Sequence, residues 1–436
     1  MAVADPSPLR FTAGSGNGRA SAPLRTAPAS GAHPSAMQTF GRIVAAFSLV
    51  VIGARIQLPQ GLTAGYLLAV LLLPVWIPVL RRYRGGILLM ALGVAAALNG
   101  YLLTALARGT AHIGWGLALQ NTIVLVGTML VVGVVLWART LLPLWSIGLF
   151  FGIGLLAGID PHGLLASGNP WKFAFAVPVT VVALSIAMIR RSRGLELAIL
   201  VALSALSMIS DARSGFAILL LTGVLVVWQL RPTSDTRKAS TARVLLGLLL
   251  VSAIAFNVGQ SLIIDGALGE ATQQRTIAQI DTSGSLILGG RPELAATASL
   301  MQHYPFGLGS GVYASSTQVL VAKQGMHAIN YDPNNGYVEN FMFGTGFELH
   351  SMIGDLWANY GIAGLALWSA LLWYIVRGLG HSVARKTASA LLIYLSVATL
   401  WSLFFSPWYG AVTLLVPVLG MTLLERGRDD LKAVSS

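Results

Sequence analysis

The sequence predicts an all-α, polytopic membrane protein of about twelve transmembrane helices. Three observations predict it. The chain is 55% hydrophobic and only 10% charged, where a soluble globular chain is nearer a quarter charged. Its apolar residues fall in runs of roughly twenty, the length a helix needs to cross the hydrocarbon core. Its Lys and Arg concentrate after alternate runs, the pattern of loops that stay in the cytoplasm. Backbone groups in lipid must be satisfied within their own segment, so the runs are read as helices.

Residues 1–40 are rich in Ala, Ser, Pro and Gly, with Arg10, Arg19 and Arg25 among them. They hold no apolar run of signal-peptide length and read as a disordered basic cytoplasmic tail. Residues 41–264 hold nine expected spans. These lie at about 41–59, 61–80, 86–106, 115–137, 141–158, 171–189, 195–210, 213–230 and 242–264. Little more than Gln60-Gly61 separates the first two, which implies a tight hairpin. Residues 265–350 are an extracytoplasmic loop. Residues 351–424 hold spans ten to twelve, at about 351–376, 387–405 and 407–424. Residues 425–436 are a second cytoplasmic tail.

Net charge is +12. Its distribution is topological. Basic clusters stand at Arg81-Arg82-Tyr83-Arg84, Arg139, Arg190 to Arg193, Arg231 to Arg243, Arg377 to Lys386, and Arg426 to Lys432. With the N-terminal tail they place 21 of the 28 Lys and Arg on one side, the cytoplasmic one. Both termini are therefore expected in the cytoplasm, and a nucleic-acid partner is set aside. Absence of cysteine excludes disulfides and thiolate metal sites. Arg55, Arg108, Lys172, Arg213, Arg275, Arg291 and Lys323 remain on the other side. Each runs against the charge bias, and so each is a candidate for function.

The loop carries the most polar stretch. Pro292 to His303 reads as a short helix, since Pro is favourable at a first helical position. Leu294, Ala298 and Met301 are its expected apolar face. Pro305 stops it, and Gly307, Gly309 and Gly311 make a tight turn. That turn follows a helix rather than a strand, so it is not a nucleotide fingerprint. Asp332-Pro333-Asn334-Asn335-Gly336 is a further turn.

Arg291 precedes that helix, where free N–H groups and a forked guanidinium suit phosphate. The plainer alternative is a surface arginine paired with Glu293. Arg213, between spans seven and eight, is either an anion ligand or an interfacial arginine paired with Asp211. His350 begins span ten, where the helix dipole disfavours its cationic form, as suits a general base. Glu348 works against that, and an interfacial hydrogen-bonding histidine is the alternative. Arg213, Arg291 and His350 on one face suit a phosphorylated lipid donor and a hydroxyl acceptor. Arg55, Lys172 and Glu348 are secondary candidates, with Asp160-Pro161-His162 and Lys172 at an expected substrate entrance. Asp355 and Asn359 are expected to make interhelical hydrogen bonds. The histidines have no metal-binding spacing, so neither metal nor cofactor is expected.

These residues resemble the O-antigen ligase and O-antigen polymerase family of bacterial membrane glycosyltransferases. Ala212-Arg213-Ser214-Gly215 is similar to the family's Ser-Arg-x-Gly helix start. Arg291 through Ala298, Met301, Pro305 and Gly307 to Gly309-Ser310-Gly311 is similar to its Arg…P-x-x-G-x-G-x-G pattern. His350 with Gly361 and Gly364 is similar to its His-Asn…G-x-x-G pattern. Departures are Ser351 for Asn, Ala295 or Ala296 for Trp, and Tyr313 for Phe. The resemblance implies a GT-C-like fold in the bacterial inner membrane. It implies an inverting, metal-independent transfer of a glycan from undecaprenyl diphosphate. The acceptor would be a lipid A core, another lipid-linked repeat or a protein hydroxyl, for lipopolysaccharide or exopolysaccharide. It implies that Arg213 and Arg291 bind the donor diphosphate, and that His350 activates the acceptor hydroxyl or helps position the phosphate.

A polysaccharide or lipid transporter is the main rival. Transporters place ionisable residues near the midplane, at broken helices of repeated halves, whereas these residues sit at the rim and no repeat is evident. A shape- and division-type peptidoglycan polymerase and a non-catalytic scaffold are further rivals.

Overall fold

A computed structural model describes residues 36–166, 168–231, 269–285 and 289–427, with short pieces at 246–247, 260–261 and 264–266. All but those short pieces of the expected ninth span lies outside the described residues. Among those residues the protein is helical, and β pairing is limited to isolated bridges such as Ile113 with Val312. The helices, numbered among the described residues, are α1 Ala36–Ala54, α2 Ala64–Leu71, α3 Leu73–Trp76, α4 Gly86–Leu106, α5 Trp115–Leu141, α6 Leu144–Ala157 and α7 Pro161–Ala166. There follow α8 Ala176–Arg190, α9 Arg193–Ile209, α10 Arg213–Gln229, α11 Glu270–Ser283, α12 Glu293–His303 and α13 Ser316–His327. The chain ends with α14 Met352–Ala384, α15 Ala390–Phe405 and α16 Trp408–Thr422.

Every expected span inside the described residues coincides with a helix. Five are long and apolar enough to cross a membrane, or six if the bent pair α2 and α3 with its continuation to Arg82 counts as one. The expected second span is not straight. It bends by 63° where Pro74 and Pro78 remove backbone donors, and the Trp76 indole N–H donates to the freed Ala69 carbonyl at 2.8 Å. The first helix begins at Ala36, inside the expected tail. The tenth runs on to Ala384.

Helix α5 is the centre. Within its most apolar stretch 72% of the residues are buried inside the protein, against about a third in the other long helices. It is flanked by α1, α2, α4 and α16. Helices α1 and α6 meet backbone to backbone, because a side chain on Gly154 would come within 2.2 Å of the Val50 carbonyl. Small residues at such a crossing let helices associate in lipid.

The bundle has two distinct ends. At one, Arg139 donates to the carbonyls of Gly420, Met421 and Leu423. The Arg84 N–H donates to Leu424 there, and Arg193 and Gln229 both reach the Ala388 carbonyl. The basic turns therefore share one end. At the other end lies the loop, which has an apolar core of its own. Ala296, Leu300, Val321, Met326, Val338, Met342 and Leu349 pack on Trp357 and Ala358 of α14. The loop holds two helices, α11 and α13, that its composition did not announce. Helix α13 is fixed by a capping box between Ser315 and Gln318.

Candidate functional site

The start of α14 sets the geometry. Ser351 caps it, its hydroxyl accepting from the Gly354 N–H. His350 therefore stands outside the helix, with a left-handed backbone at φ 47°. This corrects the expectation that His350 begins the helix, so the dipole acts on it from farther away. Its ring Nδ1 lies 3.2 Å from the Glu348 carbonyl. A carbonyl can only accept, so Nδ1 carries the proton of that bond. In the neutral ring Nε2 is then the basic nitrogen. Glu348 is exposed, and its contact with the His350 ring is made by its carbonyl.

Asp355, one turn into α14, is buried. Its two carboxylate oxygens accept from the Leu349 N–H and the Trp408 N–H, each at 2.7 Å. It thereby ties the residue before His350 to the start of α16. Asn359 accepts from the Asn121 amide at 3.0 Å. Asp355 and Asn359 thus make the cross-helix bonds expected of them.

Helix α12 lies against this corner, with the Thr297 hydroxyl at Gly354. Its buried face is Glu293, Ala296, Thr297 and Leu300. Of the expected face of Leu294, Ala298 and Met301, Ala298 is exposed, Leu294 is half-buried and Met301 packs partly buried against the loop core. The fully buried positions include a carboxylate and a hydroxyl that apolar periodicity cannot reveal. Arg291 pairs with Glu293 at 3.3 Å, and the two side chains are 33% and 2% exposed. The pair named as the plainer alternative exists, but it is not a surface pair. Burial pushes the Glu293 carboxyl up from the usual carboxylate range, while its own backbone N–H, Arg291 and His350 pull it down. Arg291 and His350 thus act on one carboxyl.

Tyr337 completes the group. Its ring centroid lies 5.2 Å from that of His350. Burial and then the Glu293 charge push its phenol up, so it stays a hydroxyl donor. Nothing in the turn Asn335-Gly336-Tyr337 marked it beforehand. Lys323 pins this segment through Glu339 at 2.8 Å.

Arg213 occupies a second corner. Its guanidinium donates to Thr276 on α11 at 3.1 Å and stands 4.0 Å from Asp211. Three residues along α11, the Gln279 carbonyl packs against Gly289, two residues before Arg291. Arg213 is thus linked to the Arg291 corner through α11. Lys172 belongs to the Arg213 corner. Asn169 accepts from its N–H and donates to the Ser210 carbonyl, and its ammonium lies over Phe173 at 5.3 Å. Asp160 caps α7 through the N–H groups of His162 and Gly163. Arg55 is engaged structurally. It bonds the Thr413 hydroxyl and the Tyr409 carbonyl, and it stacks over the Tyr409 ring at 5.0 Å. The crevice beside it holds about 20 Å³ of water-accessible space, room for about one water and none for a diphosphate.

Chemically, the α12–α14 corner offers a guanidinium that is a third exposed, a phenol hydroxyl and an imidazole whose Nε2 has no partner among the described residues, over a buried carboxylate. Comparisons with protein-family models, curated proteins and solved structures give no match.

Proposed function

We propose that this protein is a membrane glycosyltransferase. It moves a glycan from undecaprenyl diphosphate to a hydroxyl acceptor outside the inner membrane, as an O-antigen ligase or a surface-polysaccharide polymerase. The observation that carries the reading is the meeting of Arg291, Tyr337 and His350 at the loop end of an apolar bundle, with Glu293 beneath them. In this reading the acceptor oxygen attacks the anomeric carbon and the carbon–oxygen bond to the diphosphate breaks. The acceptor proton passes to His350 Nε2. The polyprenyl diphosphate leaves with its developing charge on Arg291, supported by Arg213 from the neighbouring corner. Twelve spans, a GT-C-like arrangement and cytoplasmic termini belong to the same proposal.

A transporter is less well supported. Helix α14 is broken at Gly361, the kind of feature that can hold a transported ion. Here two of the freed carbonyls are occupied, since Ala358 accepts from the Leu308 and Gly309 N–H groups and Tyr360 from Asn99.

The test is transfer from a synthetic polyprenyl-diphosphate glycan by the purified protein. His350→Ala is expected to lose about 100- to 10,000-fold in rate, the worth of a positioned base, while still binding donor. Turnover near that of the unaltered protein would refute the base assignment. Gene deletion separates the two activities. Loss of long chains with single repeats retained means polymerase, and accumulation of unattached lipid-linked polymer means ligase.

A further inference from the structure

Glu293 has no place in the transfer chemistry, yet it is the most buried charge at the corner. Its side chain is 2% exposed, and its oxygen takes the Arg291 guanidinium at 3.3 Å. Arg291 is a third exposed, so the pair is closed on the carboxylate side and open on the guanidinium side. Only Pro292 separates the two in sequence, and its ring restricts how far they can move apart. A carboxylate so placed repels any anion that comes to Arg291. It also spares the empty site an unpaired arginine against a buried wall, which is costly.

We propose that Glu293 is the resident counter-ion of Arg291. Its carboxylate holds the guanidinium while the site is empty, yields it to the donor's diphosphate, and takes it back as the diphosphate product leaves. The inference rests on the reading of Arg291 as a diphosphate ligand. Linkage gives it a definite sign. A diphosphate and Glu293 compete for one guanidinium, so each weakens the other's hold by the same factor. Glu293 is then a positioning residue that lowers donor affinity and speeds product release. The raised carboxyl agrees with this, because burial already disfavours its charge and an arriving anion adds to the same penalty.

The experiment uses the full chain in detergent, with farnesyl diphosphate as the binding probe. Glu293→Gln keeps the shape and an acceptor oxygen but removes the charge. It is expected to bind the probe about fivefold tighter or more, the lower range of a site-to-site coupling. KM for the lipid-linked donor and kcat should fall together, because product is released more slowly. A merely structural glutamate would not lower KM. Glu293→Asp keeps the charge but draws it back by one methylene, and should tighten binding by a smaller factor. It carries the test if the Gln variant does not fold. Unchanged or weaker binding in a folded variant overturns the proposal. Arg291→Ala separates the two levels. If it leaves probe binding intact, the reading of Arg291 fails and the counter-ion with it. If it abolishes binding while the Glu293 variants show no tightening, the counter-ion alone is refuted.

Discussion

At the scale of single residues, the corner depends on Asp355 more than on the residues it presents. One carboxylate satisfies two buried N–H groups, those of Leu349 and Trp408, at 2.7 Å each. Asparagine offers a single acceptor oxygen, so Asp355→Asn leaves one buried N–H facing an amide NH2. That is expected to destabilise the protein by about 1–3 kcal/mol, the desolvation penalty of an unmade buried bond. His350 follows Leu349, so transfer should fall while donor binding persists. Unfolding midpoint and transfer rate, measured on one preparation, check both. An unchanged midpoint would show that Asp355 is not the tie described. The residue scale is also where the sequence was partly legible. Arg291 and His350 announced themselves because a cation on the charge-disfavoured side, or an imidazole near a helix start, is unusual by type and place. Glu293 did not, because an acid in a first helical turn reads as a solvated helix-start residue, and only the folded loop buries it beside Arg291, His350 and Tyr337. Arg55 drew the same attention as Arg291, but Tyr409 and Thr413, more than 350 positions away in the chain, use it as a structural donor.

At the scale of elements, the interval from Pro305 to Gly311 and the break in α14 form one construction. Gly361 adopts φ 59° and ψ −142°, a region essentially confined to glycine. A side chain there would come within 2.2 Å of the Phe306 carbonyl. The break frees the Ala358 carbonyl, which the Leu308 and Gly309 N–H groups of the turn then occupy, so turn and kink specify each other. Gly361→Ala is expected to lose more than the ~1–3 kcal/mol of backbone strain alone, because Phe306 must also move. Gly109→Ala is the control. Gly109 has a positive φ of 88° and nothing within 4 Å, so that change carries strain only. A smaller drop in unfolding midpoint for Gly361→Ala than for Gly109→Ala would contradict the construction. The apolar helices were legible as elements because twenty-residue runs are a strong signal. The loop was legible only in outline. Helix α12 and the two turns showed through Pro and Gly, while α11 and α13 are polar helices whose apolar positions are too few to set a period. The bend after Leu71 was written in Pro74 and Pro78, and run length alone concealed it.

At the scale of the whole molecule, the question is whether helices shorter than a bilayer reach from one end of the bundle to the other. Helices α15 and α16 have 16 and 15 residues, or about 24 and 22 Å at 1.5 Å per residue, against a core of about 30 Å. Their ends nevertheless lie at opposite ends of the bundle. The turn between them is tied to Asp355 through the Trp408 N–H, at the loop end. The start of α15 is tied to Arg193, and the end of α16 to Arg139, at the basic end. Each therefore traverses the bundle, with extended residues making up the length. The break at Gly361 divides α14 likewise, leaving residues 362–384 as a stretch of about 34 Å. If the basic end faces the cytoplasm, the orientation proposed from its excess of Lys and Arg, three crossings follow the loop. Reporter fusions should then read the same side at Ser283 and Ser406, and the opposite side at Ser436. The parity of Ser283 and Ser436 alone would not distinguish three crossings from one, because both are odd. Ser406 decides it, since a re-entrant α15–α16 pair would put that position with Ser436. Agreement of Ser283 with Ser436 would remove the topology, and with it the argument that places Arg291 and His350 on the side where a lipid-linked glycan is used.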